Sequence, residues 1–241
     1  MTQINATLID HMGSCLSVVN AARVSFGKKS EWVRDEEPYG GAKDEFGDKY
    51  HDKTLSERDV KLIKYLAKHR HTSPFGHAFA SFHCTGPIFV ARQLVKHKFL
   101  RWNEISRRYV DDEPEFYTPI VWRKAAADKK QGSSDEEVNV AYYDRDDGYN
   151  DWPTDANSVS LEAYQEMIKL GVAPEQARMV LPQSTMTEFY WSGSLDAFAS
   201  MCVLRLKDDT QYETRLVAQQ IDEVMSGLFP ISWKALVHDE V

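Results

Sequence analysis

Apolar residues recur at helical spacing in several stretches of the chain. Val60, Ile63 and Ala67 form one stripe. It is opened by Thr54 or by Ser56, which with Asp59 makes a box-like helix start. Gly86-Pro87 leads into a second helix through Ile88, Val90, Ala91, Leu94 and Val95, running toward His97. Residues 161–170 read as a third, stopped by Gly171; Pro174 then starts a short helix that Pro182 ends. Ser194 can cap a helix over 195–206. Asp208 or Asp209 can start a long last one through Val217, Ile221, Val224 and Leu228. Between the first two helices the period switches to two. Phe79, Ser81 and His83 alternate there with Ala78, Ala80 and Phe82, as on a strand. The pattern predicts an α+β fold, rich in helix with a smaller sheet.

Two stretches break the pattern. Residues 27–53 carry glycine and charge without a period, and residues 119–158 behave alike, ending in an acid-rich tract at 142–155. Both read as long insertions on the surface of one domain. The chain has 241 residues, 42% hydrophobic and 27% charged, an ordinary globular composition. No apolar run approaches the ~20 residues that a membrane span needs. The first ten residues carry no basic flank with a greasy stretch, so no secretory signal is expected. Cys15, Cys84 and Cys202 lie far apart and unpaired in spacing, which points to a reducing compartment, the cytoplasm by default.

The net charge is −8, yet residues 92–108 hold six Lys/Arg (Arg92, Lys96, Lys98, Arg101, Arg107, Arg108) against the single acid Glu104. Such an island in an acidic protein suits a small anionic ligand better than a long nucleic-acid backbone; a solvated basic surface is the plain alternative. Gln93 and His97 are four apart and would share a helix face. The stretch that follows, Arg101 to Tyr109, is dense in side-chain donors, which phosphates and a planar heterocycle would satisfy. Arg205 falls on the stripe of Phe198, Met201 and Cys202, so its guanidinium needs a partner. The candidates are Asp208, Asp209, Glu213 or a ligand. His69, His71, His77 and His83 gather around Ser73-Pro74 without a carboxylate pair at ligand spacing, so no metal is expected. No nucleophile elbow and no glycine-rich phosphate loop is present, and Cys84 sits in a strand pattern as a core thiol.

The run Lys96-His97-Lys98-Phe99-Leu100-Arg101-Trp102-Asn103-Glu104-Ile105-Ser106-Arg107-Arg108-Tyr109 resembles the R-H-R-x-x-S-x-N-E-x-S-x-R-Y signature of flavin-dependent thymidylate synthases. Further segments agree in order: Ala21 to Phe26, His71 to Phe75, Pro87 to Gln93, Ala177 to Pro182, Leu204-Arg205 and Gln211-x-Glu213. The resemblance implies reductive methylation of deoxyuridine monophosphate (dUMP). Methylenetetrahydrofolate supplies the carbon, FAD the hydride, and NADPH re-reduces the flavin. It implies a homotetramer with shared active sites, and one domain over 1–241 built on a central mixed or antiparallel sheet with long helices. By the same resemblance Ser25, His71, Ser73, Lys96, His97, Lys98, Asn103, Glu104, Ser194 and Ser200 face FAD. Gln93, Lys96, Glu104, Ser106, Arg107, Arg108, Arg178 and Arg205 hold dUMP. Arg205 matches the arginine that stabilises the ionised N3 of the uracil. Ser106 occupies a hydroxyl position of the signature; with no base placed by sequence to activate it, a positioning role is expected.

The chain also departs from the signature. Lys96 and Lys98 stand where arginines are usual, Arg101 replaces a serine, and Asp196 brings a negative charge toward the flavin. A second reading therefore stands beside the first. In it the chain is a non-catalytic relative that binds a nucleotide or single-stranded nucleic acid through the basic island, with Trp102 and Tyr109 stacking on bases.

Overall fold

The computed structural model describes residues 4–34, 53–110, 112–127, 132–144 and 148–239. Most of the first expected insertion (35–52) and part of the acid-rich tract (145–147) lie outside them. In chain order the elements are β1 (Asn5–Met12), α1 (Cys15–Arg23), β2 (Val33–Arg34), β3 (Lys53–Thr54), α2 (Glu57–Lys68), β4 (Phe79–Pro87), α3 (Ile88–Leu94) and β5 (Leu100–Glu104). Then come β6 (Trp122–Ala125), β7 (Ser133–Val138), β8 (Ala141–Asp144), β9 (Gly148–Asp151), α4 (Trp152–Lys169) and α5 (Pro174–Ala177). The chain closes with β10 (Met186–Ser194), α6 (Leu195–Arg205), α7 (Tyr212–Leu228) and α8 (Pro230–Trp233).

The central sheet has the order β1-β4-β10-β5, and every pairing in it is antiparallel. One face is dry. Ala80, Phe82 and Cys84 of β4, with Phe189 and Trp191 of β10, pack against Val18 and Val19 of α1, Ile63 of α2, Phe198 and Met201 of α6, and Ile221 and Met225 of α7. The opposite face carries the alternate residues: Ser81 against Ser192 with hydroxyls 2.6 Å apart, His83 beside Glu188 at 3.1 Å, and Tyr190 paired in register with Asn103. The alternation expected over residues 78–83 is thus observed, and it runs on to Gly86 in a strand that ends at Pro87. β10 is its partner strand, an aromatic-rich alternation that the helix periodicities on either side obscure.

α2 starts as its sequence dictates: the Ser56 hydroxyl accepts from the Asp59 amide at 3.2 Å and donates to the Asp59 carboxylate at 2.7 Å. Three expectations need correction. α3 stops at Leu94, so His97 is not on a helical face with Gln93; the basic turn beyond it has too few side chains to pack and bends into β5. The end of the second insertion is not loop but the first turns of α4. Asp151 caps them by accepting from the Thr154 amide at 2.9 Å, and acids in an opening turn complement the helix dipole. The last long helix starts at Tyr212, after Asp208 and Asp209. Gly193 marks a close approach: a Cβ there would lie 2.4 Å from Leu100 Cδ2 and 3.0 Å from the Phe99 carbonyl, so glycine lets β5 close on β10. Phe99 itself has φ of 65°, a strained left-handed residue in the middle of the basic run.

Candidate active site

α3 organises the site because it presents different residues to two clefts. Ile88, Ala91, Arg92 and Val95 line one; Phe89, Gln93 and Lys96 line the other. Spacings of three and four hold Ile88, Ala91 and Arg92 on one face of the helix and Phe89 and Gln93 on another, with Val95 and Lys96 just past its end. The first cleft, between α3 and β5, has a volume of about 690 Å³ and brings together Glu104, Ser106, Arg107, Arg108 and Arg178. Glu104 is oriented within its strand region. It accepts from Thr187 Oγ1 at 2.8 Å and from Trp102 Nε1 at 3.0 Å. Arg107 donates to the Asp112 carbonyl at 2.7 Å. Arg108 lies over the Tyr109 ring at 5.0 Å and reaches the Ser106 hydroxyl at 3.4 Å. A cation, not a base, is therefore what the Ser106 hydroxyl meets. Among the described residues Arg178 is anchored only through Nε, to the Glu175 carbonyl, at 3.3 Å.

The second cleft, between α3 and the start of α7, has a volume of about 660 Å³ and holds Gln93, Lys96 and Arg205. Arg205 bonds none of the three acids that its sequence neighbourhood offers. Its Nε donates to His97 Nε2 at 3.0 Å and its Nη2 to the Gln93 carbonyl at 3.4 Å. Asp208 faces Arg215 at 3.6 Å, and Glu213 is taken by Arg123 at 2.7 Å. Burial lowers the pKa of Arg205, and burial followed by the Arg205 charge lowers that of His97 to about 4. His97 is then neutral near pH 7, and with Nε2 accepting, its proton sits on Nδ1. The same cleft contains Tyr117, whose hydroxyl is pushed up to about 12 by burial and then by the Glu213 charge, so it keeps its proton. Tyr117, Trp122 and Arg123 line this cleft without having been signalled in the sequence, because they sit in or beside a segment with no period.

The residues matched to FAD are more dispersed. Ser25, His71, Ser73, Lys98 and Asn103 are exposed, and with His97, Ser194 and Ser200 they line neither cleft. α1 and α6 both pack on the turn Ser73–His77, and the Leu195 amide donates to the Ala78 carbonyl at 2.8 Å; this draws Ser25, Ser73 and Ser194 toward one region. Ser200 donates to the Asp196 carbonyl of its own helix at 2.8 Å. The side chains of Ser25, Ser73, Lys96, Lys98 and Asn103 make no hydrogen bond or ion pair to another described residue. A set of donors left unused by the fold suits a ligand rich in phosphate and carbonyl acceptors.

Other chemistries find less. Cys15, Cys84 and Cys202 are buried, and burial pushes the Cys84 thiol to about 12 and that of Cys202 well up, so neither offers a thiolate. Among the described residues no group of three His, Cys, Asp or Glu is placed to hold a metal ion. Trp102 stacks on Phe189 with ring centroids 3.7 Å apart, so one of the two aromatics behind the single-strand reading packs on the protein itself.

The family described as thymidylate synthase complementing protein matches residues 7–231. The flavin-dependent thymidylate synthase of Thermus thermophilus is 36% identical over 232 residues, covering 95% of this chain and 73% of the relative. That of Thermosipho africanus is 33% identical over 233 residues, covering 95% of this chain and 89% of the relative. Among solved structures, the UMP/dUMP methylase PolB of Streptomyces cacaoi, bound with 5-Br dUMP, superposes with a TM-score of 0.72 at 28% identity, over 98% of this chain and 95% of that one.

Proposed function

This chain belongs to the thymidylate synthase complementing protein family, and on that premise we propose that it methylates dUMP as a flavin-dependent thymidylate synthase. The observation that carries the reading is Arg205. It is a half-buried guanidinium held by neutral acceptors in a cleft, with no acid among the described residues bonded to it. A cation left in this state is preorganised for negative charge arriving with a ligand, as an ionising uracil nitrogen would bring. In the α3–β5 cleft, Arg108 and Arg178 clamp the phosphate, and the Ser106 hydroxyl orients the nucleotide. Lys96, Lys98, Ser25, Ser73 and Asn103 provide the donors for FAD. When bound, the flavin supplies the hydride that completes the methyl group, with methylenetetrahydrofolate as the carbon donor and NADPH as the reductant.

The nucleotide set is divided between two different faces of α3: Glu104, Ser106, Arg107, Arg108 and Arg178 lie toward one, Gln93, Lys96 and Arg205 toward the other. We read this division as favouring an active site assembled from more than one copy of the chain, within a homotetramer in the cytoplasm. Nothing in this arrangement calls on a cysteine.

Arg205→Ala tests the reading. Turnover with dUMP should fall by ~10²–10³, the usual loss for one preorganised charge-stabilising donor. FAD affinity, followed by flavin fluorescence, should change little. The melting temperature should hold, because no buried carboxylate loses its partner. A variant that melts early but turns over normally in the cold would make Arg205 a structural residue, and a wild-type chain that leaves flavin fluorescence unchanged would remove the flavin from the proposal.

A further inference from the structure

The hairpin β6–β7 belongs to the insertion that carries none of the signature, yet it is wired into the α3–α7 cleft. It is seated on the α6–α7 corner: Gly132, at φ of 87°, lies so close that an added Cβ would be 3.1 Å from the Asp209 carbonyl. From it Arg123 reaches inward, its side chain only 16% exposed. Nε donates to Ser133 Oγ at 2.7 Å, and Nη2 donates to Glu213 Oε1 at 2.7 Å. The guanidinium also covers the Tyr212 ring at 4.3 Å. Glu213 is buried, and its other oxygen accepts from Gln211 Nε2 at 3.2 Å. Gln211 Oε1 in turn accepts from Gln93 Nε2, and Gln93 Oε1 accepts from Thr214 Oγ1 at 3.2 Å.

The direction of every bond in this chain follows from its first member. A carboxylate facing a guanidinium can only accept, so Gln211 must turn its amide nitrogen toward Glu213. Its carbonyl then points at Gln93, and Gln93 can answer only with its own nitrogen. Amides are otherwise nearly symmetric in shape and can flip; here polarity, not packing, selects one orientation. Gln93 is left with one N–H and one lone pair for the cleft.

We propose that Arg123 is a positioning residue for the nucleotide: acting through Glu213 and Gln211, it fixes the orientation in which Gln93 presents its amide. The proposal rests on the reading that Gln93 faces dUMP. It assigns the insertion a role in the site, although Arg123 need not touch the substrate.

The test compares Gln211→Met, Arg123→Ala, Arg123→Lys and Gln93→Met in the full chain with FAD, measuring dUMP KM, kcat, FAD affinity and melting temperature. Gln211→Met breaks the relay while leaving the Arg123–Glu213 pair intact. It should raise dUMP KM about tenfold, the scale of one lost and unreplaced hydrogen bond, with kcat and FAD affinity within about twofold and the melting temperature unchanged. Arg123→Ala should show the same KM rise together with a lower melting temperature, and Arg123→Lys should recover the wild-type KM. If Gln93→Met weakens dUMP but Gln211→Met and Arg123→Ala do not, the relay is overturned and the placement of Gln93 stands. If Gln93→Met itself leaves KM unchanged, both fall. A drop in melting temperature without a KM change in Arg123→Ala would mark the pair as merely structural.

Discussion

A neutral histidine and a half-buried cation make an unusual pair, and His97 with Arg205 has a consequence for pH. Burial and the neighbouring charge hold His97 at about 4, against 6.5 for an ordinary histidine. Between those values the unfolded chain takes up a proton that the folded chain refuses, so stability falls as pH drops through this window. Below about 4 the folded histidine is protonated as well, and this group adds no further loss. His97→Gln, whose amide oxygen can still accept from Arg205, should show a shallower loss of melting temperature from pH 6.5 to 4 than wild type. Identical slopes would mean that His97 titrates freely in the fold. Glu213 and Arg123 make the opposite arrangement, a paired acid and base, and this contrast within one cleft is what leaves Arg205 available to a ligand.

Among the elements, α1 and α2 are joined by a single carboxylate. Asp59, in the first turn of α2, accepts from Arg23 Nε at 2.9 Å, from Ser30 at 2.9 Å and from Ser56 at 2.7 Å. Burial alone would raise its pKa; the hydrogen bonds and the Arg23 charge outweigh that and hold it below 3.8. Asp59→Ala strands the Arg23 guanidinium and should reduce stability by ~3–5 kcal/mol in urea denaturation, the scale of a broken buried pair. A loss below ~1 kcal/mol would class it with exposed pairs. Because Ser25 lies two residues beyond Arg23, the same variant should also weaken FAD if Ser25 contacts the flavin. The starts of α2 after Ser56, of α5 at Pro174 and of α6 after Ser194, and the stop of α4 before Gly171, were readable in the sequence, since caps, proline and glycine act locally; the end of α3 and the starts of α4 and α7 were not. β5 was not: Arg101 and Asn103 alternate with Trp102, which packs on Phe189, and with the charged Glu104, so only the presence of β10 makes it a strand.

At the scale of the whole molecule, the two clefts on either side of α3 make a direct prediction about assembly. Arg108→Ala and Arg205→Ala chains, each inactive alone, should regain turnover when mixed as unfolded chains and refolded together. Some sites would then draw Arg108 from one copy and Arg205 from another. A mixture no more active than its parents would place both arginines in a site made by one chain. The sequence by itself determined the chemistry available: the donor-rich run from Lys96 to Tyr109, the apolar stripe that carries Arg205, and the amphipathic periods that make the fold α+β. These follow from spacing and residue type, which act over a few residues. Which acid pairs with which base was decided only by the tertiary structure. Arg205 passed over three nearby acids for His97 and a carbonyl, while Glu213 went to Arg123, ninety residues away. Pairing of buried charge depends on who shares the dry space, and that is set by how the sheet, α3 and the hairpin pack together.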